Sequence, residues 1–334
     1  MPPSALLEMG DRRVILGPTL GAGSVAKVYR GVLESAHGVR RPVACKVFGS
    51  LAFDDHDGVL EGLAQAVRGS ACIRHPNVVE TYEIGVTRIQ RQAFILSELI
   101  VGTTLRRMID CFAVRGRRLP LDVALFIGTE VAEGLSGARV ARGPEGLPLG
   151  ICHLDLSARD VLLSWHGEVK VTDFEIGTVR QASSSIRSFT KLARRVVTMA
   201  PEVAAGEPGD ARSDVFSLGI LLREMLIGPR FSPSTTDIQA IDYAREGYLQ
   251  PMTFEPHLPE DVRRILNRAL EVDPDRRFPH AGAMAYELRR VALSLGVGDA
   301  RIFLKTTLER ELAEDHSDST IPQHSEAKRL RQKE

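Results

Sequence analysis

The pattern of apolar and polar positions changes near residue 100. Before this point, short runs rich in β-branched and aromatic residues alternate with turns that carry glycine or charge, which is typical of strands. These runs are VILGPTL, KVYRGVL, RPVACKVF, VVETYEIGV and QAFILSEL. One helical stretch, at about 57–73, interrupts them. The first hundred residues therefore predict a small sheet with one helix.

Beyond residue 100, apolar residues recur with the spacing of helices. The predicted helices cover residues 104–115, 120–142, 213–227, 260–271 and 280–295. The third of them, DVFSLGILLREML, is apolar nearly all round, which is typical of a helix buried at the centre of a domain. The whole pattern predicts an α+β fold with two lobes.

The predicted domain covers residues 13–295, with a small β-rich lobe at 13–100 and a larger, mainly helical lobe at 101–295. Residues 1–12 are predicted to be an N-terminal extension. Residues 296–334 are predicted to form a C-terminal helix and tail. Because the last residues of this tail are polar and charged, we expect its end to be disordered.

Composition narrows the classes of partner. Lys plus Arg equals Asp plus Glu at 43 each, so no net charge favours nucleic acid or an anionic membrane. The four cysteines form no CxxC pair, which fits a reducing compartment better than a disulfide framework. The N-terminus has no apolar run of signal-peptide length, and the most apolar segment is interrupted by Arg223 and Glu224. These features predict a soluble cytoplasmic protein without a membrane span.

Residues 151–177, ICHLDLSARDVLLSWHGEVKVTDFEIG, contain two aspartates at the ends of a predicted hairpin. VLLS and EVKVT have the pattern of strands, and the turn between them contains Gly167. Asp155 precedes the first strand and Asp173 follows the second, so antiparallel pairing returns both carboxylates to the same edge. Such a pair suits acid–base and metal chemistry on one substrate, whereas an isolated pair would be interpreted as turn caps.

Other motifs surround this hairpin in a fixed order. GAGSVAKV at 21–28 is a glycine-rich turn that lets backbone N–H groups approach a phosphate. VACK at 43–46 puts a lysine in an apolar strand, where its charge needs a partner. FILSELI at 94–100 is an apolar strand, and MAPE at 199–202, Asp214 and DPDRR at 273–277 follow. Over about residues 13–295 this order resembles the protein kinase family, and most of all eukaryotic-like bacterial Ser/Thr kinases of the myxobacterial type.

The resemblance implies roles for individual residues. Asp155 would be the base for a substrate hydroxyl, and Arg159 would replace a missing lysine near the γ-phosphate, unless it is an ordinary exposed cation. The two metal ligands for Mg²⁺ or Mn²⁺ would be Asp160 and Asp173. Glu202 would pair with Arg277. The residues that would bind ATP are Gly21, Gly23, Val28, Ala44 and Lys46, together with Glu98 and Ile100 at the hinge that pairs with adenine.

Two departures from the family pattern concern the catalytic loop and its regulation. Leu154 replaces the arginine of H-R-D, which implies control without phosphorylation of the activation loop. Ser157 replaces the lysine that would contact the γ-phosphate, and Arg159 follows it.

Three further departures concern the metal ligand and the lysine. Asp160 replaces an asparagine, so it can ligate a cation but cannot donate a hydrogen bond, and crowding of three carboxylates should raise at least one pKa. Glu175 replaces the glycine of D-F-G, which adds a negative charge beside the triphosphate and removes freedom at a hinge. Ala66, nine positions before His75, stands where the glutamate partner of Lys46 belongs. We expect Lys46 to turn to Asp173, with Gln65 as a neutral alternative and Glu61 out of reach.

These departures predict a pseudokinase that acts as a signalling scaffold or regulator through protein partners, with weak, metal-dependent ATP binding. One alternative is a catalytically impaired but active Ser/Thr kinase, because Lys46, Asp155 and Asp173 remain. A small-molecule phosphotransferase is disfavoured by the MAPE motif and Asp214. The activation segment is either a flexible polar loop or the target of an upstream kinase, whose phosphorylation would not switch on activity. Its basic pair would contact a partner in place of a substrate peptide. The residues concerned are Ser183, Ser184, Ser185, Ser188 and Thr190, and the pair Arg194 and Arg195.

Overall fold

The computed structural model describes residues 6–9, 11–23, 26–49, 56–87, 92–175, 196–249 and 258–313. The first part of the chain forms a six-stranded antiparallel sheet with strand order β1-β2-β3-β4-β6-β5. Its strands are β1 (Leu6–Met9), β2 (Arg12–Ala22), β3 (Ala26–Glu34), β4 (Arg40–Phe48), β5 (Thr81–Val86) and β6 (Ala93–Glu98). The predicted β-rich lobe is confirmed. Strand β1 lies within the predicted N-terminal extension and forms the edge of this sheet.

Helix α1 (His56–Ser70) packs on one face of the first sheet. Its buried side chains Leu63, Ala66 and Val67 form a cluster with Phe48 of β4 and Ile95 of β6. The spacing of these three helical residues matches one face of a helix, which is why the sequence predicts a helix here. The cluster fixes α1 next to the strand that carries Lys46.

The second part of the chain is mainly helical. Its helices are α2 (Leu105–Val114), α3 (Leu121–Val140), α4 (Pro201–Ala205), α5 (Ala211–Leu226), α6 (Asp237–Arg245), α7 (Glu260–Ala269), α8 (Ala281–Ser294) and α9 (Ala300–Glu311). Helix α5 is buried from Ser213 to Leu226, as its apolar sequence predicts. Gly128 of α3 lets the side chains of Leu222 on α5 and Leu288 on α8 approach closely. The α+β fold with a helical second lobe is confirmed.

A three-stranded sheet, of order β7-β8-β9, lies beside these helices and carries the predicted hairpin. Its strands are β7 (Gly102–Thr104), β8 (Val161–Ser164) and β9 (Val169–Val171). Strands β8 and β9 pair antiparallel, with Val161 opposite Val171, and Gly167 turns between them with a φ of 79°. The predicted hairpin is confirmed. Gly102 allows β7 to approach β8, because a side chain there would lie 2.0 Å from the carbonyl oxygen of Leu163.

Helix α9 is attached to this second lobe by apolar and ionic contacts. Leu304 and Leu308 are fully buried. Arg301 donates to the carbonyl of His166 in the hairpin turn at 3.1 Å. At the other end, the carboxylate of Glu311 lies 3.0 Å from the guanidinium of Arg115, which follows α2. Helix α9 therefore braces both the hairpin and α2. In the part of the chain that the structure describes, no helix combines the length and apolarity needed to cross a membrane.

Shortening a buried side chain of α9 is expected to destabilise the whole lobe. Leu308→Ala should lower the free energy of unfolding by about 2–5 kcal/mol, because it removes a buried side chain and leaves a cavity. Ile302 is on the same helix but is 58% exposed, so it provides the control. Ile302→Ala should change the free energy of unfolding by about 0.5 kcal/mol or less. Urea unfolding measures both values. Equal effects of the two substitutions would show that α9 does not pack as described.

Candidate active site

The predicted phosphate-binding residues form a row on one face of the first sheet. Val28 of β3 lies opposite Lys46 of β4, and Gly21 of β2 lies opposite Val28. Ala44 is two residues before Lys46 and shares its face, because side chains alternate along a strand. Side chains opposite each other on neighbouring strands also share a face. The structure therefore brings these four residues together.

In the glycine-rich turn, the described residues leave open space beside Gly21. Among the described residues, no heavy atom lies within 4 Å of the place that a methyl group on Gly21 would take. The N–H of Gly23 donates to the carbonyl of Ala26 at 2.8 Å, which closes the base of the turn. The tip, Ser24 and Val25, lies outside the described residues. Internal packing therefore does not explain the glycine at position 21.

The predicted hinge residues lie at the end of β6 (Glu98) and just after it (Ile100), where the chain passes to the second sheet. The carboxylate of Glu98 accepts hydrogen bonds from Nζ of Lys170 on β9 (3.0 Å) and from the backbone N–H of Glu80 (3.3 Å). The Glu98 side chain thus links the two lobes. Within the described part of the chain, Ile100 makes no hydrogen bond. Its backbone groups therefore have no hydrogen-bond partner among the described residues.

Lys46 and Asp173 form an ion pair across the cleft. Nζ of Lys46 lies 2.7 Å from Oδ2 of Asp173, as expected from the absence of a glutamate on α1. Burial opposes ionisation of Asp173, but the Lys46 ammonium outweighs it and lowers the pKa of this carboxyl. Asp173 has a φ of 70°, in the left-handed region that aspartate tolerates better than most residues. This backbone turn aims the carboxylate at the sheet.

Helix α5 fixes the loop that carries Asp155 through hydrogen bonds to the loop backbone. The carboxylate of Asp214 accepts the backbone N–H groups of His153 (2.8 Å) and Leu154 (2.7 Å). Nε2 of His153 lies 2.8 Å from the carbonyl oxygen of Thr172, next to Asp173. Asp155 follows on this loop and lines a small pocket, of about the size of one water molecule, between the loop and the starts of α4 and α5. The predicted base therefore lies on a loop whose backbone α5 holds in place, and its side chain is half-buried.

Asp160 binds to its own loop. Its Oδ2 accepts the backbone N–H of Ser157 at 2.9 Å and the hydroxyl of Ser157 at 2.7 Å. Burial, with a further contribution from Asp173, raises the pKa of Asp160 to about 6. The expected rise in pKa is confirmed, although burial contributes more than crowding. Two departures from the family pattern, Ser157 and Asp160, are thus bonded to each other.

Arg159 does not contact Asp155. Its side chain is exposed, and only its backbone N–H, which donates to the hydroxyl of Ser157 at 3.3 Å, makes a hydrogen bond within the described part of the chain. A long exposed cation at this position can move towards an anionic ligand or remain in solvent. Its role near the γ-phosphate stays a prediction.

The two predicted metal ligands lie at the open end of the hairpin. The backbone N–H of Thr172, next to Asp173, donates to the carbonyl of Asp160 at 2.9 Å. Among the described residues, no group of three or more His, Cys, Asp or Glu side chains is arranged to hold a metal ion. Two carboxylates supply the hard oxygen ligands that Mg²⁺ and Mn²⁺ prefer, and Mg²⁺ commonly completes its shell with phosphates and water. The residues present therefore fit a cation that arrives with a nucleotide.

Helix α1 does not replace the missing glutamate. Ala66 is buried in the apolar cluster between α1 and the sheet. Glu61 is exposed and binds Arg68 at 2.7 Å, and Gln65 is also exposed. Among the described side chains of α1, none is an acid that points at Lys46. The expectation that Glu61 is out of reach is confirmed, and the alternative partner Gln65 is not brought to the site.

Glu175 lies inside the protein, in a helical turn with Phe174. Glu175 does not take a positive φ, because the non-glycine residues with positive φ in the described chain are Leu154 and Asp173. The expected loss of freedom at this hinge stays a prediction. Burial raises the pKa of Glu175, and the charge of Lys46 opposes this rise. In this structure the substitution adds a buried carboxylate without a positive φ at position 175.

The predicted pair of Glu202 and Arg277 is confirmed. The guanidinium of Arg277 binds the two carboxylate oxygens of Glu202 at 2.9 and 2.8 Å, and its side chain is fully buried. Such a two-point contact fixes both position and orientation. It joins the start of α4, beside the pocket, to the chain before α8.

Sequence reasoning missed a second buried arginine. Arg230 is fully buried and donates to the carbonyls of Val197 (3.1 Å), Met199 (2.9 Å) and Tyr248 (3.1 Å). Burial lowers its pKa to about 9. Because arginine is usually exposed, sequence alone gives no reason to place this one inside. It fixes the segment that forms one wall of the pocket beside Asp155.

The activation-segment predictions cannot be compared with the structure. The serine and threonine residues expected to be modified and the basic pair lie outside the described residues, within 176–195.

Comparison with known proteins agrees with this geometry. The family model for protein tyrosine and serine/threonine kinases matches residues 14–285. The chain is 30% identical to the tyrosine-protein kinase MasK of Myxococcus xanthus over 273 residues, 81% of this chain and 42% of MasK. It is 32% identical to the probable serine/threonine-protein kinase SCO3848 of Streptomyces coelicolor, over 83% of this chain and 39% of that protein.

A third relative is the serine/threonine-protein kinase PknB of Mycobacterium tuberculosis, 30% identical over 84% of this chain and 43% of PknB. The chain thus spans about two fifths of the length of these curated relatives. The resemblance to bacterial kinases of the eukaryotic-like type is confirmed. The chain belongs to the protein tyrosine and serine/threonine kinase family.

Proposed function

We propose that this protein is a degenerate kinase that binds ATP weakly with a divalent cation and acts in signalling mainly by binding a protein partner. The observation that carries the proposal is the engagement of Asp160 with Ser157. One oxygen of the second predicted metal ligand already has two donors within its own loop. A cytoplasmic location stays a prediction from the sequence.

Weak nucleotide binding is supported by the residues that remain. Lys46 lies on the sheet face below the glycine turn, and Asp173 faces it at 2.7 Å. The open space at Gly21 admits a phosphate, and the backbone of Ile100 has no partner within the described chain. These groups would bind the phosphates, the cation and the adenine, which are the parts of ATP that the family recognises.

Slow transfer is supported by three features of the same site. The side chain of Asp160 is held by Ser157, which also lacks the positive charge of a lysine. Helix α1 directs Ala66, not an acid, at the cluster beside Lys46. Glu175 adds a buried carboxylate next to the position of the phosphates. Each feature weakens electrostatic stabilisation of the transition state, which is the main contribution of the protein to phosphoryl transfer.

A catalytically impaired but active Ser/Thr kinase is the second candidate. One feature of the structure supports it, because the loop that carries Asp155 is held in place by Asp214. The relatives are named as kinases, MasK as a tyrosine kinase and PknB as a serine/threonine kinase. Under this proposal the chain transfers the γ-phosphate to a protein hydroxyl at a reduced rate.

Thermal unfolding with ATP tests the proposed nucleotide site. A ligand at about ten times its Kd adds only about 1.4 kcal/mol of stability, so we expect a small rise in Tm with millimolar ATP that requires Mg²⁺ or Mn²⁺. The control is Lys46→Met, which should abolish the rise. No rise in the natural protein with either metal would contradict the proposal.

A transfer assay separates the two candidates. The purified protein is expected to show no autophosphorylation and no labelling of a basic Ser/Thr peptide above the level of the Asp155→Asn variant. Labelling that the Asp155→Asn substitution abolishes would favour the active kinase instead.

A further inference from the structure

Within the described chain, the one carboxylate in direct contact with Lys46 is that of Asp173, which is also a predicted metal ligand. The Lys46 side chain is 16% exposed and contacts Asp173 at 2.7 Å. Asp173 is also the predicted ligand of a divalent cation. When its carboxylate binds a cation, it can no longer neutralise Lys46 fully. An ammonium that is mostly removed from water then needs another carboxylate nearby.

The helix that would supply this carboxylate presents an apolar surface. Leu63, Ala66 and Val67 of α1 are buried against Phe48 and Ile95. Phe48 is two residues after Lys46 on the same strand, and its ring centre lies 5.8 Å from Nζ of Lys46. Lys46 therefore borders a cluster that offers it no negative charge.

Glu175 is a buried carboxylate close in sequence to the acid that contacts Lys46. It lies two residues after Asp173, and its side chain is 4% exposed. The ring of Phe174, between the two acids, packs on His153 at 4.8 Å and fixes the start of the turn. Within the described chain no lysine, arginine or histidine lies within 4.0 Å of the Glu175 carboxylate. A buried carboxylate without a contacting cation is costly, so this residue also requires a partner.

The charges of Lys46 and Glu175 already act on each other. Burial lowers the pKa of Lys46, but the charges of Asp173 and Glu175 raise it above its usual value. Burial raises the pKa of Glu175, and the charge of Lys46 opposes this rise. Of these two acids, Asp173 is a predicted metal ligand and Glu175 is not.

We propose that Glu175 is a positioning residue for Lys46, whose carboxylate takes the place of the glutamate absent from α1 and holds the lysine when Asp173 binds a cation with ATP. This role rests on the proposed nucleotide binding. Because the acid comes from the segment after Asp173, α1 need not approach the sheet with an acid of its own. The departures at positions 66 and 175 are therefore linked: the carboxylate that α1 lacks at position 66 is supplied at position 175 by the segment after Asp173.

The first test measures whether the acids at positions 66 and 175 replace each other. Isothermal titration with Mg²⁺ and ATP should show that Glu175→Gln weakens binding about tenfold. Adding Ala66→Glu to Glu175→Gln should restore the Kd to within about threefold of the natural value, whereas Ala66→Glu alone should give no gain. Glu61→Gln, which changes an exposed acid of the same helix, should leave the Kd unchanged. Failure of Ala66→Glu to restore binding in a variant that unfolds at the temperature of the natural protein would overturn the proposal.

The second test needs no nucleotide and no charge inserted into α1. Lys46→Met should lower the Tm by about 5 °C or more, because it leaves buried carboxylates without their cation. Glu175→Gln should then raise the Tm in the Lys46→Met background and leave it equal or lower in the natural background. The pair Lys46→Met and Glu61→Gln should be additive. Additivity of Lys46→Met and Glu175→Gln within about 1 °C would overturn the proposal.

Together the tests separate the inference from the function on which it rests. If the natural protein binds no ATP, the proposed nucleotide site fails, and the melting temperatures alone decide whether Glu175 is a counter-ion of Lys46. If ATP binds and the two residues are additive, the nucleotide site stands and the role of Glu175 fails.

Discussion

The triple variant Ala66→Glu, Asp160→Asn and Glu175→Gly is expected to transfer phosphate from ATP to a generic basic Ser/Thr peptide in the presence of Mg²⁺. Each single variant is expected to gain little. Placement of the lysine, ligation of the metal and charge near the phosphates act as a unit in the transition state, and the effects of such groups are not additive. Each repaired interaction should be worth about 2–4 kcal/mol once the others are present, or about 30- to 1000-fold in rate.

The structure explains why single changes should fail. Glu175→Gly alone removes a buried carboxylate that acts on Lys46 while Ala66 supplies none. Ala66→Glu alone adds a third acid around Lys46, beside Asp173 and Glu175. Asp160→Asn alone replaces the carboxylate that accepts two hydrogen bonds from Ser157, and it leaves the lysine unchanged.

Radiolabel transfer at saturating ATP measures the gain. Asp155→Asn in the triple variant is the control, and it should remove the new activity because Asp155 is the predicted base. Equal, Asp155-dependent activity in the natural protein and in the triple variant would show that the natural residues already form a working site. In that case the active-kinase proposal replaces the pseudokinase proposal.

The sequence predicted the elements whose pattern is long or whose motif is distinctive. The alternation in β8 and β9 and the turn at Gly167 were sufficient to predict the hairpin, because residue period and turn chemistry determine pairing. The pair of Glu202 and Arg277 followed from motif order alone. Strand β1 was not predicted, because its four residues, LLEM, are too few to show a period.

The contacts inside the site were harder to predict. Ser157 and Asp160 were each compared with a family position and not with each other, although a serine and an aspartate three residues apart commonly bond within a loop. The left-handed conformation in the loop before Glu175 was also not predicted, and in the structure it falls on Asp173. The hydrogen bond between Ser157 and Asp160 and the positive φ of Asp173 both depend on the backbone conformation of these loops, which residue types alone do not determine.

Ser157→Lys is expected to act in opposite ways in the natural protein and in the triple variant. In the natural protein the hydroxyl of Ser157 lies 2.7 Å from Oδ2 of Asp160. A lysine on the same residue can therefore reach that carboxylate and form an ion pair, which keeps its charge away from the γ-phosphate. We expect no gain in transfer from Ser157→Lys in this background.

In the triple variant, position 160 is a neutral asparagine, so the lysine has no carboxylate to bind at that point. Its ammonium is then free to contact the γ-phosphate, the role that the family pattern gives to this position. We expect a further increase of about 30-fold or more in the rate of transfer, which corresponds to about 2 kcal/mol of the barrier. Ser157→Met, a side chain of similar length without charge, is the matched control and should add nothing. If Ser157→Lys and Ser157→Met behave alike in the triple variant, the charge at position 157 is not what the natural site lacks, and Arg159 becomes the residue to test in its place.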